Sequence, residues 1–280
     1  MMLALLRTEL FKIFKRPRTF ISFGLITAVI LIIELALYVD GEKFLAFASQ
    51  GLTAQFDIQG NILNGYLITF IILQTLLIHV PLLIALVCGD LLAGEANMGT
   101  LRLLLSKPVS RTKLVFTKLL AGWVYVFALL VWLAVAGLLT AILLFGKGDM
   151  MVLKSTEVVI IPMTDVAWRY VLAFGFASVA MCTIAALAMF LSVFGENAIG
   201  PIVTTMGIVV VLTILSTLEI PLFNTIKPYL FTTHMVGWKG FFDMPVNYGA
   251  IGFSLAVLLG YTALFVLATI WIFNRKDILS

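Results

Sequence analysis

Charge is what this sequence has least of. Asp, Glu, Lys and Arg make up 11% of its 280 residues, against roughly a quarter in a soluble domain. Hydrophobic side chains make up 62%, and the mean hydropathy is +1.14. That balance excludes an ordinary water-soluble fold and puts the chain in a bilayer. Cysteine is nearly missing: Cys88 and Cys182 lie in or beside apolar runs, so they read as small hydrophobes and not as a disulfide framework. The two histidines, His79 and His234, and the 11 methionines fall in no His-x-x-x-His or Met-x-x-Met spacing, so no metal site is expected. No P-loop is present: Gly146 and Lys147 are adjacent, but Ala141 stands where its first glycine belongs, so ATP has no such cradle here. G-x-S-x-G, H-E-x-x-H and paired aspartates are missing too, which argues against an intramembrane enzyme and leaves no catalytic residue to name. A net charge of +4 would suit nucleic acid, but the bases flank apolar segments without interleaved aromatics, so a nucleic-acid partner is not expected.

What is there is hydrophobic length. Runs able to cross roughly 30 Å of hydrocarbon occur at 19–39, 66–88, 114–145, 168–194, 198–218 and 249–273. They lack the alternation of barrel strands, so the expected fold class is an all-α membrane protein, a single transmembrane domain over 1–280 with six spanning helices. Residues 1–18 place Leu3, Leu6, Leu10, Phe11, Ile13 and Phe14 on one helical face, with Thr8, Glu9, Lys12, Lys15 and Arg16 opposite. That pattern predicts an amphipathic helix lying on the membrane before the first span. It follows the logic of a retained segment and not of a cleaved leader, because the bases come late and the apolar run after them is span-length.

Six spans bring both ends of the domain to one side. The N-terminal segment, the second-to-third connection and the tail hold 12 of the 18 bases, which predicts that this side is cytoplasmic and the membrane the inner (plasma) membrane. Glu34, deep in the first span, needs a partner there, and Arg169 at the same end of the fourth span is a candidate. The aromatic, proline-bearing stretch 219–248 predicts short interfacial or re-entrant helices.

The second-to-third connection, GDLLAGEANMGTLRLLLSKPVSRTK, follows helix logic. Glu95 and Gly99 are four apart, Thr100, Leu101, Leu104 and Leu105 follow, Pro108 stops the helix and Ser110 suits the cap of the next. Leucines interrupted by charges cannot be spanning, so they need the bilayer interface or a partner to bury against. The Glu95-to-Arg111 stretch, with the Glu-x-x-Lys pattern of Glu9 and Lys12, the six spans and LSVFGENAIG before the fifth, resembles the type 2 permeases of ABC exporters.

That resemblance implies a cytoplasmic coupling helix between spans 2 and 3 that docks on a separate nucleotide-binding subunit. Glu95, Gly99, Thr100, Leu101, Leu104, Pro108, Ser110 and Arg111 would be interface positions. It implies a second copy of the permease or a homologous permease as partner, and membrane lipid around both. ATP and Mg would be bound by the partner ATPase, and no cofactor by this chain. It also implies that the second and fifth spans line the path between halves, which makes Gln74, Thr75, Thr204, Thr205 and Met206 candidates for a translocation path or dimer interface. Ordinary intramembrane hydrogen bonding is the other reading of those five. The expected function is an exporter permease for an amphiphilic or small-molecule substrate; an ATP-independent carrier or a membrane scaffold is the alternative.

Overall fold

A backbone in hydrocarbon must satisfy its own N–H and C=O groups, and a helix is how a single apolar run does so. The computed structural model describes residues 2–48, 62–106, 109–153 and 158–276. In chain order these form α1 (Met2–Lys15), α2 (Pro17–Ala48), α3 (Gly65–Cys88), α4 (Asp90–Asn97), α5 (Thr100–Leu105) and α6 (Arg111–Phe145). There follow β1 (Met150–Leu153), β2 (Val158–Ile161), α7 (Met163–Ser192), α8 (Ile199–Thr217), α9 (Pro221–Asn224), α10 (Phe231–Met235) and α11 (Tyr248–Arg275). Two 3-10 turns, Lys227–Tyr229 and Val236–Phe242, flank α10.

Six helices among the described residues are long and apolar enough to cross a membrane: α2, the run through α3 into α4, α6, α7, α8 and α11. Six apolar helices are therefore present as expected, but the second is offset: its span-length stretch is Ile78–Asn97, preceded by the shorter apolar stretch Gly65–Leu76, against the expected 66–88. The first runs on to Ala48, but its backbone breaks at Asp40 (φ −122°, ψ 20°), where the apolar run ends. α7 is central, packed by α3, α6, α8 and α11, whereas α8 and α11 turn most of their side chains outward.

Several polar side chains inside the spans are satisfied within their own helix or by a neighbour, while Glu34 Oε2 is buried without a hydrogen-bond partner among the described residues. Thr27, Thr69, Thr75, Thr205 and Thr269 each donate to the carbonyl four residues back. Thr183 and Thr262 bond each other at 2.9 Å, joining α7 to α11. Close approach is needed at Gly65, where a Cβ would stand 2.7 Å from the Ile142 backbone of α6, so only glycine lets the two helices meet there.

Two expectations need correction. Glu34 does not pair with Arg169: its Oε1 accepts from Thr140 of α6 at 2.6 Å. Arg169 instead bonds Asp165 one turn away, at 2.7 Å from Nη2, and donates to the carbonyls of Phe241 (2.7 Å) and Asp243 (2.9 Å). A local carboxylate and two fixed carbonyls already satisfy the guanidinium. The third connection also holds a hairpin that periodicity did not reveal, with Met150 opposite Ile161 and Val152 opposite Val159. These four are buried while Val158 and Ile160 face outward. Two four-residue alternations are too short to stand out from a loop.

The bundle has two unlike ends. At one, Val236–Phe242 lays Trp238, Phe241 and Phe242 over α3 and α7. Phe242 meets Tyr170 at 4.9 Å and Phe70 at 5.2 Å between ring centroids, the edge-to-face contact that aromatic quadrupoles favour. At the other, which gathers α1, α4, the start of α6 and the end of α11, the contacts are ionic.

Candidate functional site

The amphipathic repeat of α1 turns Ile13 inward but carries Glu9 with it, and Glu9 is 2% exposed. A buried carboxylate needs a cation, and Lys118 supplies it. Lys118, one of the largest fully buried side chains, reaches from the second turn of α6 to Glu9 Oε2 at 2.8 Å. The same ammonium lies 2.8 Å from Glu95 Oε2 of α4. Lys12 closes the ring, 2.8 Å from Glu9 Oε1 and 2.7 Å from Glu95 Oε1. Two carboxylates and two ammonium groups thus alternate across three helices, and each charge meets two of the opposite sign.

Burial opposes ionisation of Glu9, yet the Lys118 charge and the hydrogen bonds from Lys118 and Lys12 outweigh it and hold its carboxyl below the ordinary value of 4.5. Burial likewise opposes the charge on Lys12, but its hydrogen bonds to Glu9 and Glu95 win and raise it above 10.5. Removing one member of such a set leaves an uncompensated buried charge, which costs about 3–5 kcal/mol.

A second ionic contact lies one turn up α4. Asp90, at the first position of that helix, accepts a hydrogen bond from Arg16 on its Oδ2 and forms an ion pair with Arg18 at 2.9 Å through the same oxygen. Its carboxylate also suits the positive end of the helix. Gly94 is required beneath it, since a Cβ there would stand 2.2 Å from Asp90 Oδ1. Ser192 at the end of α7 completes the anchoring, its hydroxyl accepting from the amides of Leu92 (3.2 Å) and Ala93 (2.8 Å). α4 is therefore fixed to α1, α6 and α7 at once.

The segment predicted as one helix is broken. Gly99 has φ +69° and a Cβ on it would meet nothing within 4 Å, so the glycine serves a left-handed turn between α4 and α5. Glu95 and Gly99 consequently share no helical face. Glu95 is 3% exposed and points inward to the two lysines. Thr100 donates to the Glu95 carbonyl at 3.3 Å, Leu101 is buried, and Leu104 packs half-buried on the core. Pro108 lies outside the described residues.

Ser110 caps α6 by accepting from the Lys113 amide at 3.4 Å. Arg111 donates to the carbonyls of Phe273, Asn274 and Lys276 at 2.7–3.3 Å, clamping the last turn of α11 to the first of α6. Among the described residues of this segment, Asn97, Met98 and Gly99 form an exposed tip at the α4–α5 corner.

The candidate path residues do not converge. Gly89, between α3 and α4, packs on Ile202 of α8, so Thr204–Met206 sit near the ionic end. Gln74 and Thr75 lie roughly 15–20 Å further along α3 at 1.5 Å per residue. Gln74 is exposed and accepts from Lys239 at 3.1 Å. Thr75 and Thr204 are exposed, Thr205 is buried against the Pro201 carbonyl, and Met206 is half-buried.

Reading the residues alone missed the ring of Glu9, Lys12, Glu95 and Lys118 and the pairing of Asp90 with two arginines. The usable signal was Lys118, a cation set among apolar residues at the head of a span. Among the described residues no group of three or more His, Cys, Asp or Glu side chains is placed to hold a metal. No curated protein matches the chain. Residues 22–279 match the family described as "Protein of unknown function (DUF2705)", and over that span of its length the chain belongs to this family.

Proposed function

We propose that this chain is the membrane-spanning permease subunit of an ATP-driven ABC exporter and itself catalyses no reaction. The observation that carries the reading is the α4–α5 corner: an anchored helix that ends in an exposed tip, between the second and third spans. Glu95 ties α4 to α1 and α6, Asp90 ties it to the start of α2 and Ser192 ties it to α7, so a force on Met98 would reach four helices as a rigid-body displacement. In this reading the basic end faces the cytoplasm, as the positive-inside bias supports, and α1 lies along the interface.

The docking surface is narrower than the sequence implied. Glu95 and Arg111 act inside the chain, positioning and clamping, while Asn97, Met98 and Gly99 present themselves to a separate ATPase that binds ATP and Mg. Two permease halves, this chain with a second copy or a homologous chain, would face the two ATPases. The apolar interior suits an amphiphilic substrate.

The test is a photocrosslinker at Met98, which is 57% exposed, used in native membranes. The expected product joins this chain to a P-loop ATPase. Adducts with lipid alone would remove the reading. In the reconstituted complex, Gly99→Trp should lower transport about tenfold, the equivalent of losing one good apolar contact, while ATP hydrolysis continues. Transport at the wild-type rate would count against coupling through this corner.

A further inference from the structure

Beside the ionic ring lies a cleft of about 250 Å³, lined among others by Arg16, Arg18, Asp90, Asn97, Met98 and Ala198. Both guanidinium groups direct Nη1 to one oxygen, Asp90 Oδ2. A guanidinium has five N–H donors in a planar fork, so most of the donor capacity of this pair is not spent on Asp90. The Arg16 and Arg18 side chains are 28% and 32% exposed, while Asp90, at 3%, is buried between them. Two cations to one carboxylate leave the lining with a formal excess of one positive charge.

The surroundings identify the anion. From the cleft α2 begins at Pro17 and exposes Phe20 and Ile21 within its first turns; α8 begins after Ala198 and exposes Ile199 and Val203. A charged slot therefore opens where two apolar faces start. We infer that the cleft is a binding site for the phosphodiester of an anionic phospholipid, with the phosphate on the spare guanidinium donors and the acyl chains along α2 or α8. The planar fork suits a phosphate oxygen pair better than a single ammonium would, and basic pockets between helices near the cytoplasmic surface are suited to acidic headgroups. A free phosphate would satisfy the same donors but would make no use of the adjoining apolar faces. The inference does not rest on the exporter reading, although Asn97 and Met98 at the rim of the cleft are also the residues that reading offers to an ATPase; lipid retention is measured without an ATPase or transport.

The experiment uses the purified full chain in nanodiscs of phosphatidylcholine with a minor fraction of phosphatidylglycerol, with retained lipid read by native mass spectrometry. The wild type is expected to retain phosphatidylglycerol in preference to phosphatidylcholine. Arg18→Gln should reduce that preference roughly fivefold, the loss expected for one basic contact with an acidic headgroup, and Arg18→Lys should restore part of it. Thermal unfolding of Arg18→Gln in pure phosphatidylcholine is expected to match the wild type, since Arg16 keeps its bond to Asp90; this separates a binding role from a folding one. Equal retention of the two lipids by the wild type, or an unchanged preference in Arg18→Gln, would overturn the site. Displacement of phosphatidylglycerol by millimolar inorganic phosphate would overturn the lipid assignment in favour of a free anion. Displacement by an acidic peptide of an ATPase subunit would overturn it in favour of a protein partner.

Discussion

The two ends of this bundle are closed by opposite means. At the basic end three helices meet through Glu9, Lys12, Glu95 and Lys118, charges that are individually costly to bury and tolerable only as a set. At the far end the closure is aromatic, with Phe70, Tyr170, Trp238 and Phe242 in edge contact and Arg169 bonding backbone carbonyls. An aromatic plug loses contacts one at a time. A ring of alternating charges has few intermediate states, because taking out any member leaves another buried without compensation. Disruption of the ionic end is therefore expected to be all-or-none, whereas the aromatic end is expected to weaken contact by contact.

The sharpest way to break that contrast is Lys118→Met. It leaves Glu9 and Glu95 sharing Lys12 alone, and thermal unfolding in detergent should show a loss of about 3–5 kcal/mol. Removing Glu9 and Lys118 together should cost less than the lysine alone, since no orphan charge remains; a larger loss in the double variant would contradict the ring as drawn. Phe242→Ala is the counterpart at the far end, where about 3 kcal/mol is expected from a cavity, with no dependence on added acid.

Acidity gives a finer test. The Glu9 carboxyl is depressed in the folded state, so its contribution is present above the ordinary value of 4.5 and is lost as pH falls through the lower folded value. Lys12 is raised, so its contribution is present below 10.5 and is lost as pH climbs through the higher folded value. Hydrogen-exchange protection, taken relative to the intrinsic rate at each pH, should therefore fall in α1 at both extremes of pH, and that of the amides of Val236–Phe242 should follow neither limb. The smallest effect is expected at Gly99→Ala, about 1 kcal/mol from placing an L side chain at φ +69°, measured by the same unfolding transition.

The spans were legible because a long apolar run has few alternatives in a membrane, and the break at Asp40 coincides with the end of the first run. Ser110 as a cap was legible for a similar reason: the signal is local, three residues from the amide it accepts. The ring was not, since Glu9 and Lys118 stand 109 positions apart and nothing in either neighbourhood names the other. Glu95 illustrates the ambiguity best: a glutamate in a connection reads as a group offered to a partner, and only packing reveals that α4 turns it inward. Gly99 reads as an interface position by resemblance, whereas its φ of +69° supplies a local reason for the glycine. The hairpin escaped because Met150–Leu153 and Val158–Ile161 alternate over too few residues.

α6 runs through 35 residues without interruption, roughly 52 Å at 1.5 Å per residue, and holds Lys118 near its foot and Thr140, the partner of Glu34, near its head. Such a rod multiplies angles: a tilt of about five degrees pivoting at the foot would sweep the head through roughly 4–5 Å over that length. Slight rocking among charges on one side would thus become a side chain's width of travel on the other.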